Sequence, residues 1–383
     1  MCFGKSLPSL VNNQYFLALF LLFVIVPAGF CLRYFVSTYG YNVDMEAFWE
    51  TANIIANGGN VYASTEKYNY GPLWGEYLGF IVDFFSIPNI EKFRLIVAIS
   101  LSFIDIAIAI LLFSTFGFWP SVLFFLNPIS IFSSGFHGQF DVAAIALSFL
   151  SVVVLTKYRG FCTLVLGLCV LGASLSVKHI LFLFPLWLFF HYDDWRWKIL
   201  SIVVPYSIFI FSFLPYLPEG YSGIVNNVLL YRSFNNAPFW SLVLPHAVYT
   251  IMPKIVLFVS GLVLIGYLFR SSKPTELFLV YLAFVFMLSS AIALQYLVIP
   301  LLFICVYWNR AFFLYVIGSS ALYLAHIDGF ALPFMRDFVG WNGRYGIHVI
   351  MIFFTIGILT RYGLVTKLKF IRLLRMIPIP KAY

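Results

Sequence analysis

Apolar runs of near-spanning length, separated by short polar stretches, repeat almost end to end along this chain. A helix needs roughly 20 apolar residues to cross a hydrocarbon core of about 30 Å. The pattern predicts such spans at about 15–36, 93–114, 117–133, 139–156, 161–176, 178–191, 197–217, 248–269, 275–293, 295–308, 311–327 and 345–363. Lys178 and His179 interrupt the stretch 161–191, which reads equally as one kinked element. The first run, Tyr15 to Phe35, is long for a signal peptide and lacks a small-x-small cleavage site, so a retained first span is expected. The fold class is therefore an all-α polytopic membrane protein of about 11–12 transmembrane helices, forming a single transmembrane domain over residues 1–383.

The long first loop, 37–92, interrupts this monotony with a different period. From Val43 to Gly59, the positions Met45, Phe48, Trp49, Ala52, Ile55 and Ala56 recur on one helical face. Glu46, Glu50, Asn53 and Asn57 fall on the other, and Gly58-Gly59 supplies a stop. This predicts an amphipathic helix lying in the membrane interface with its aromatics turned down. Asp44 stands at its start, either as an N-cap or as a general base able to take a proton from a hydroxyl. Next comes Tyr68-Asn69-Tyr70-Gly71-Pro72-Leu73-Trp74, readable as an interfacial aromatic belt or as a platform for sugar C–H faces, with Glu76 just beyond.

Composition agrees with the spans. Of 383 residues, 62% are hydrophobic and 10% charged, too few charges for a water-facing surface, where about 25% is usual. The net charge of +8 is not a nucleic-acid signature, because the basic residues sit singly or in pairs between apolar runs. With the N-terminus in the cytoplasm, 14 of the 23 Lys and Arg fall on that side, including Lys157, Arg159, Arg196, Lys198, Arg270, Lys273 and the tail after Arg361. The long connections 37–92, 218–247 and 328–344 then share the opposite, extracytoplasmic face, as the positive-inside rule asks. Five cysteines show no metal-ligand spacing and read as small buried hydrophobes. No motif calls for a cofactor or supports a divalent metal.

Ionisable groups inside apolar runs are costly and commonly functional. Asp105 lies mid-span with Arg94 near the extracytoplasmic end, and reads as a helix-packing hydrogen bond or as part of an ion path. His137, Gln139 and Asp141 cluster in a loop on the extracytoplasmic side, where Asp141 also precedes an apolar run as a cap would. Lys178-His179, Arg232, Arg336 and Arg344 put cations on the same face. Such cations suit a departing phosphate; snorkelling toward headgroups is the plainer reading.

Taken in order, these segments resemble the GT-C glycosyltransferase superfamily, which uses polyprenyl-phosphate sugars. Asp44-Met45-Glu46-Ala47-Phe48-Trp49 is similar to the D-x-E-A-x-x-x-W helix of the dolichyl-phosphate-glucose-dependent glucosyltransferases, with Trp49 arriving early. Tyr70-Gly71-Pro72-Leu73 differs at one position from their Y-P-P-L turn, and Arg94 and Asp105 look like their Arg and Asp in the second span. His137-Gly138-Gln139-Phe140-Asp141 echoes their H-G-H-F-Q-Y-N segment in a shorter form, and Lys178-His179 their Lys-Gln pair. Bacterial membrane proteins distantly related to GPI mannosyltransferases share N-P, W-G-Q-x-D and V-K-x, matched here by Asn127-Pro128, Gly138-Gln139-Phe140-Asp141 and Val177-Lys178. The resemblance covers roughly residues 40–190.

It implies an inverting hexosyltransferase moving glucose or mannose from a polyprenyl-phosphate carrier to a glycan or lipid-linked acceptor. Asp44 would be the base, Lys178, Arg232 and Arg344 would hold the donor phosphate, and Glu46, Tyr70, His137, Gln139, Asp141 and His179 would bind substrate. Membrane lipids surround it, and no nucleic acid is involved. Short loops favour a bacterial inner membrane over the endoplasmic reticulum. The alternatives are a polysaccharide polymerase or ligase, which more often centres on a late loop, and a transporter or flippase of lipid-linked sugars.

Overall fold

A computed structural model describes residues 7–158, 160–231, 237–326, 329–335 and 343–363, without the side chains of 7–13 and 343–344. The described residues are helical, with no strand among them. Three helices are long and apolar enough to cross a membrane: α1 (Gln14–Ser37), α5 (Ile90–Phe116) and α11 (Trp195–Tyr216). The first loop contributes α2 (Val43–Ala56), α3 (Val61–Ser64) and α4 (Pro72–Phe85). After α5 come α6 (Phe118–Phe125), α7 (Pro128–Phe136), α8 (Asp141–Lys157), α9 (Phe161–Val177) and α10 (Phe184–His191). Past α11 lie α12 (Ile224–Leu229), α13 (Pro238–Val243), α14 (His246–Ile251), α15 (Lys254–Leu268), α16 (Pro274–Leu288), α17 (Leu294–Val306), α18 (Arg310–Ala325) and α19 (Gly343–Arg361).

This architecture fits an α-helical membrane protein. Phe16 and Phe23 on α1 are 64% and 74% exposed, surface that suits lipid far better than water. The remaining apolar runs become shorter helices rather than a uniform set of straight spans. The run 117–133 breaks at Asn127-Pro128, and α7 meets α8 at an angle of 119°, making a broken span or a re-entrant loop. Proline explains the first break: it lacks an N–H and excludes the helical conformation from the residue before it.

Asparagine starts many of these helices. Asn42, Asn60, Asn89, Asn127 and Asn309 each accept a hydrogen bond from a backbone N–H two or three residues ahead. An Asn cap meets an orphan helical N–H without placing a charge near apolar surroundings. Asp44, expected at the cap, instead lies inside the first turn of α2, and Asn42 does the capping.

The apolar face of α2 is covered by protein rather than turned to an interface. Met45, Phe48 and Ala52 are buried, Trp49 packs on Phe93 of α5, and Phe48 meets Trp74 of α4. Gly75 and Gly79 of α4 admit Ile55, since a Cβ there would lie 2.9 or 2.5 Å from its side chain.

The mid-span charge is settled by a residue the sequence pattern did not flag. Arg33 of α1 donates through Nε to Asp105 Oδ2 at 2.8 Å, through Nη1 to the carbonyls of Gly29 and Phe125, and through Nη2 to Ser130 Oγ at 2.6 Å. Both charged residues are fully buried. One guanidinium fork thus joins α1, α5, the end of α6 and α7, a packing role for Asp105. Arg94 is not its partner and lies over the ring of Tyr41.

Candidate functional site

The α7–α8 break creates the site. Gly138 takes a left-handed φ of 60°, which glycine adopts readily, and a Cβ there would lie 2.3 Å from Met45 Cε. The turn therefore fits closely under α2. It delivers three buried polar side chains to three different partners. His137 Nδ1 meets Asn42 Nδ2 at 3.1 Å, Gln139 Nε2 donates to Asp44 Oδ2 at 2.6 Å, and Asp141 Oδ2 accepts from Lys178 Nζ at 2.7 Å. The cap of the acidic helix, its carboxylate and the distant lysine are all tied to one five-residue segment.

Lys178 arrives from the opposite direction. The chain leaves helical conformation at the end of α9, and Lys178 is extended, with φ −153° and ψ 130°. Its ammonium lies 4.9 Å from the centre of the Phe140 ring, 5.0 Å from Tyr70 and 5.6 Å from Tyr296. Such cation–π packing together with an ion pair holds a buried charge that would otherwise be costly. An ammonium has three donors, so Asp141 leaves two directions open to a ligand.

These groups frame a cavity of about 480 Å³ whose walls include Asp44, Glu46, Glu66, Lys67, Asn69, Tyr70, Lys178, His179, Tyr231, Gln295 and Tyr296. A second, more apolar cavity of about 210 Å³ adjoins it, lined by Phe258, Val285, Phe286, Ile292 and Ile299. Lys178, His179 and Tyr296 border both. A carboxylate-lined chamber and an apolar chamber thus meet at a lysine.

Burial, reinforced by the Asp44 charge, pushes the Tyr70 phenol well above its ordinary value, so it stays a neutral hydroxyl at the wall. At the mouth, Lys67 Nζ bonds Glu50 Oε2 at 2.6 Å, and that hydrogen bond holds the Glu50 carboxyl below its usual range. The pair pins the 65–67 turn to α2.

The structure brings Asp44, Glu46, Tyr70, Lys178 and His179 to the cavity. It sets His137, Gln139 and Asp141 behind the wall, each 0–1% exposed, where they position groups rather than meet a ligand. Of the aromatic turn, Tyr70 is the one ring that reaches the cavity, with Asn69 beside it. Tyr68 is spent internally, its hydroxyl donating to the Gly71 carbonyl and accepting from Gly75 N, while Trp74 stacks on Phe140. Glu76 is hydrogen-bonded to the Tyr216 hydroxyl, away from the cavity. Arg232 and Arg336 lie outside the described residues, as does the side chain of Arg344. Lys67, Tyr231, Gln295 and Tyr296 were not singled out from sequence, although a glutamine within an apolar run was a usable sign. Among the described residues, no three His, Cys, Asp or Glu side chains gather in a metal-binding arrangement. No protein-family model, curated protein or solved structure matches the chain.

Proposed function

We propose that this protein is an inverting, GT-C-like glycosyltransferase that moves a hexose, glucose or mannose, from a polyprenyl-phosphate carrier to an extracytoplasmic glycan or lipid-linked hydroxyl. The observation that carries the reading is the junction of the two cavities. A polyprenyl-phosphate sugar has an apolar chain, an anionic phosphate and a polar sugar in linear order. An apolar chamber, Lys178 and a carboxylate-lined chamber are arranged in that same order.

In this reaction Asp44 accepts the proton of the acceptor hydroxyl as its oxygen forms a bond to the anomeric carbon. The bond from that carbon to the phosphate oxygen breaks, and its electron pair leaves with the lipid phosphate. Attack from the face opposite the leaving group inverts the centre. Gln139 orients the Asp44 carboxylate through its 2.6 Å bond, and the free donors of Lys178 neutralise the charge gathering on the phosphate. Tyr70, its phenol protonated, offers a hydrogen bond and a ring face to the sugar. Both termini would be cytoplasmic and the 37–92 loop outside, in a bacterial inner membrane.

The test is transfer of radiolabelled hexose from synthetic carriers by the purified protein, with release of polyprenyl phosphate as a second readout. Asp44→Asn should lower both by roughly 10²–10⁴-fold, the usual worth of a general base. Its fold and donor binding should persist, because Asn42 and not Asp44 caps α2. Glu46→Gln, two residues on and facing the same cavity, is the matched control. Near-full turnover in Asp44→Asn would remove the catalytic assignment, and absence of carrier cleavage by the wild type would remove the reaction.

A further inference from the structure

A third cavity, of about 390 Å³, lies at the far end of α8 from Asp141. The helix places the two sites about 24 Å apart along its axis, at 1.5 Å per residue. Lys157, Thr156, Lys273, Thr275, Glu276 and Tyr307 are among its lining residues. We propose that this cavity binds a phosphate-bearing anion, with Lys157 and Lys273 as its charged ligands and Thr275 as a neutral one.

Four observations support this. First, among the described residues neither lysine has a carboxylate within ion-pair distance, whereas Lys67 and Lys178 of the first site are both paired. Glu276 shares the cavity, leaving its lining with one net positive charge. Second, Arg361 adds a further cation nearby, with its guanidinium 4.2 Å above the Tyr307 ring. Third, the N-terminus of the 15-residue helix α16 opens here, since Thr275 and Glu276 belong to its first turn. Its orphan N–H groups and dipole favour an anion. Fourth, Thr275 is 8% exposed, lines the cavity, and has no hydrogen-bond partner for its hydroxyl among the described residues. On the same lining the Thr115 hydroxyl is buried with no hydrogen-bond partner among the described residues, and such a group costs free energy unless a ligand or water meets it.

The phosphate could belong to a lipid headgroup or to a soluble anion, and one experiment separates them. The full chain, purified in detergent, is titrated with short-chain phosphatidylglycerol, short-chain phosphatidylcholine and inorganic phosphate, and its melting temperature is followed. Saturable stabilisation by phosphatidylglycerol but not phosphatidylcholine is expected. The double variant Lys157→Gln/Lys273→Gln should need at least about tenfold more ligand, having lost two charge-assisted contacts. Arg196→Gln/Lys198→Gln removes two charges from the start of α11, outside the cavity, and should leave the titration unchanged. Thr275→Val, which keeps every charge, should weaken binding roughly threefold to tenfold through one lost hydrogen bond. Inorganic phosphate acting with the same lysine dependence assigns the site to a soluble anion, and its inactivity assigns it to a lipid headgroup; both outcomes uphold the site. Equal effects of the two double variants, or indifference to phosphatidylglycerol and phosphate alike, would overturn it.

Discussion

Lys178 is held by Asp141 on one side and by three aromatic rings around it, and this changes what its removal should do. Lys178→Ala takes away a cation and also strands the Asp141 carboxylate, which is fully buried. Breaking one half of a buried pair typically costs about 3–5 kcal/mol, so the variant should melt well below the wild type. Asp141→Asn added to Lys178→Ala removes the stranded charge and should recover part of that stability. Transfer should stay low in both, because the phosphate-neutralising cation is gone in both. Thermal unfolding in detergent beside a transfer assay checks the pair. Recovery of transfer along with stability would reduce Lys178 to a structural strut. The two residues were each visible in the sequence as polar groups at helix ends. Their pairing was not, because it joins positions 37 apart, the start of α8 and the residue after α9, which meet only once these two helices pack side by side. Arg33 and Asp105, 72 apart, were hidden for the same reason.

Among the elements, α2 was the most legible, since its apolar positions followed one helical face and proved to be its packed face. What covers that face was not, because periodicity reports that a surface is apolar without saying whether lipid or protein meets it. The departure at Gly71 likewise makes sense only in three dimensions. The loop before α4 runs against the end of α9, and a Cβ at position 71 would lie 2.1 Å from the Ser176 carbonyl oxygen. Gly71→Ala therefore forces two backbone segments apart beside Lys178. Gly138→Ala meets only the end of the Met45 side chain, which can turn away, and otherwise pays about 1–2 kcal/mol for its left-handed backbone. Gly71→Ala should accordingly lower the melting temperature more than Gly138→Ala, and lower transfer through displacement of Lys178. The opposite ranking would show that the α4–α9 contact yields easily.

Across the whole molecule, two features with opposite charge character lie at the two ends of α8. Asp44, Glu46 and Glu66 line the cavity near its start, while Lys157 and Lys273 line the one near its end. Cytoplasmic connections near spans carry the excess of Lys and Arg, so the proposed mechanism requires the lysine end to face the cytoplasm and Asp44 to face away. Glu66 and Tyr158 are both exposed, one beside each end. Single cysteines at these positions, in a background with the native cysteines replaced, should react oppositely with a membrane-impermeant maleimide. In sealed right-side-out vesicles Glu66→Cys should label and Tyr158→Cys should not; in inverted vesicles the pattern should reverse. Neither site lies within a helix crossing, so a failure to label from both sides is not expected. Labelling of both cysteines from one side would place both cavities on a single face. It would separate Asp44 from an extracytoplasmic acceptor and remove the positive-inside basis for the orientation.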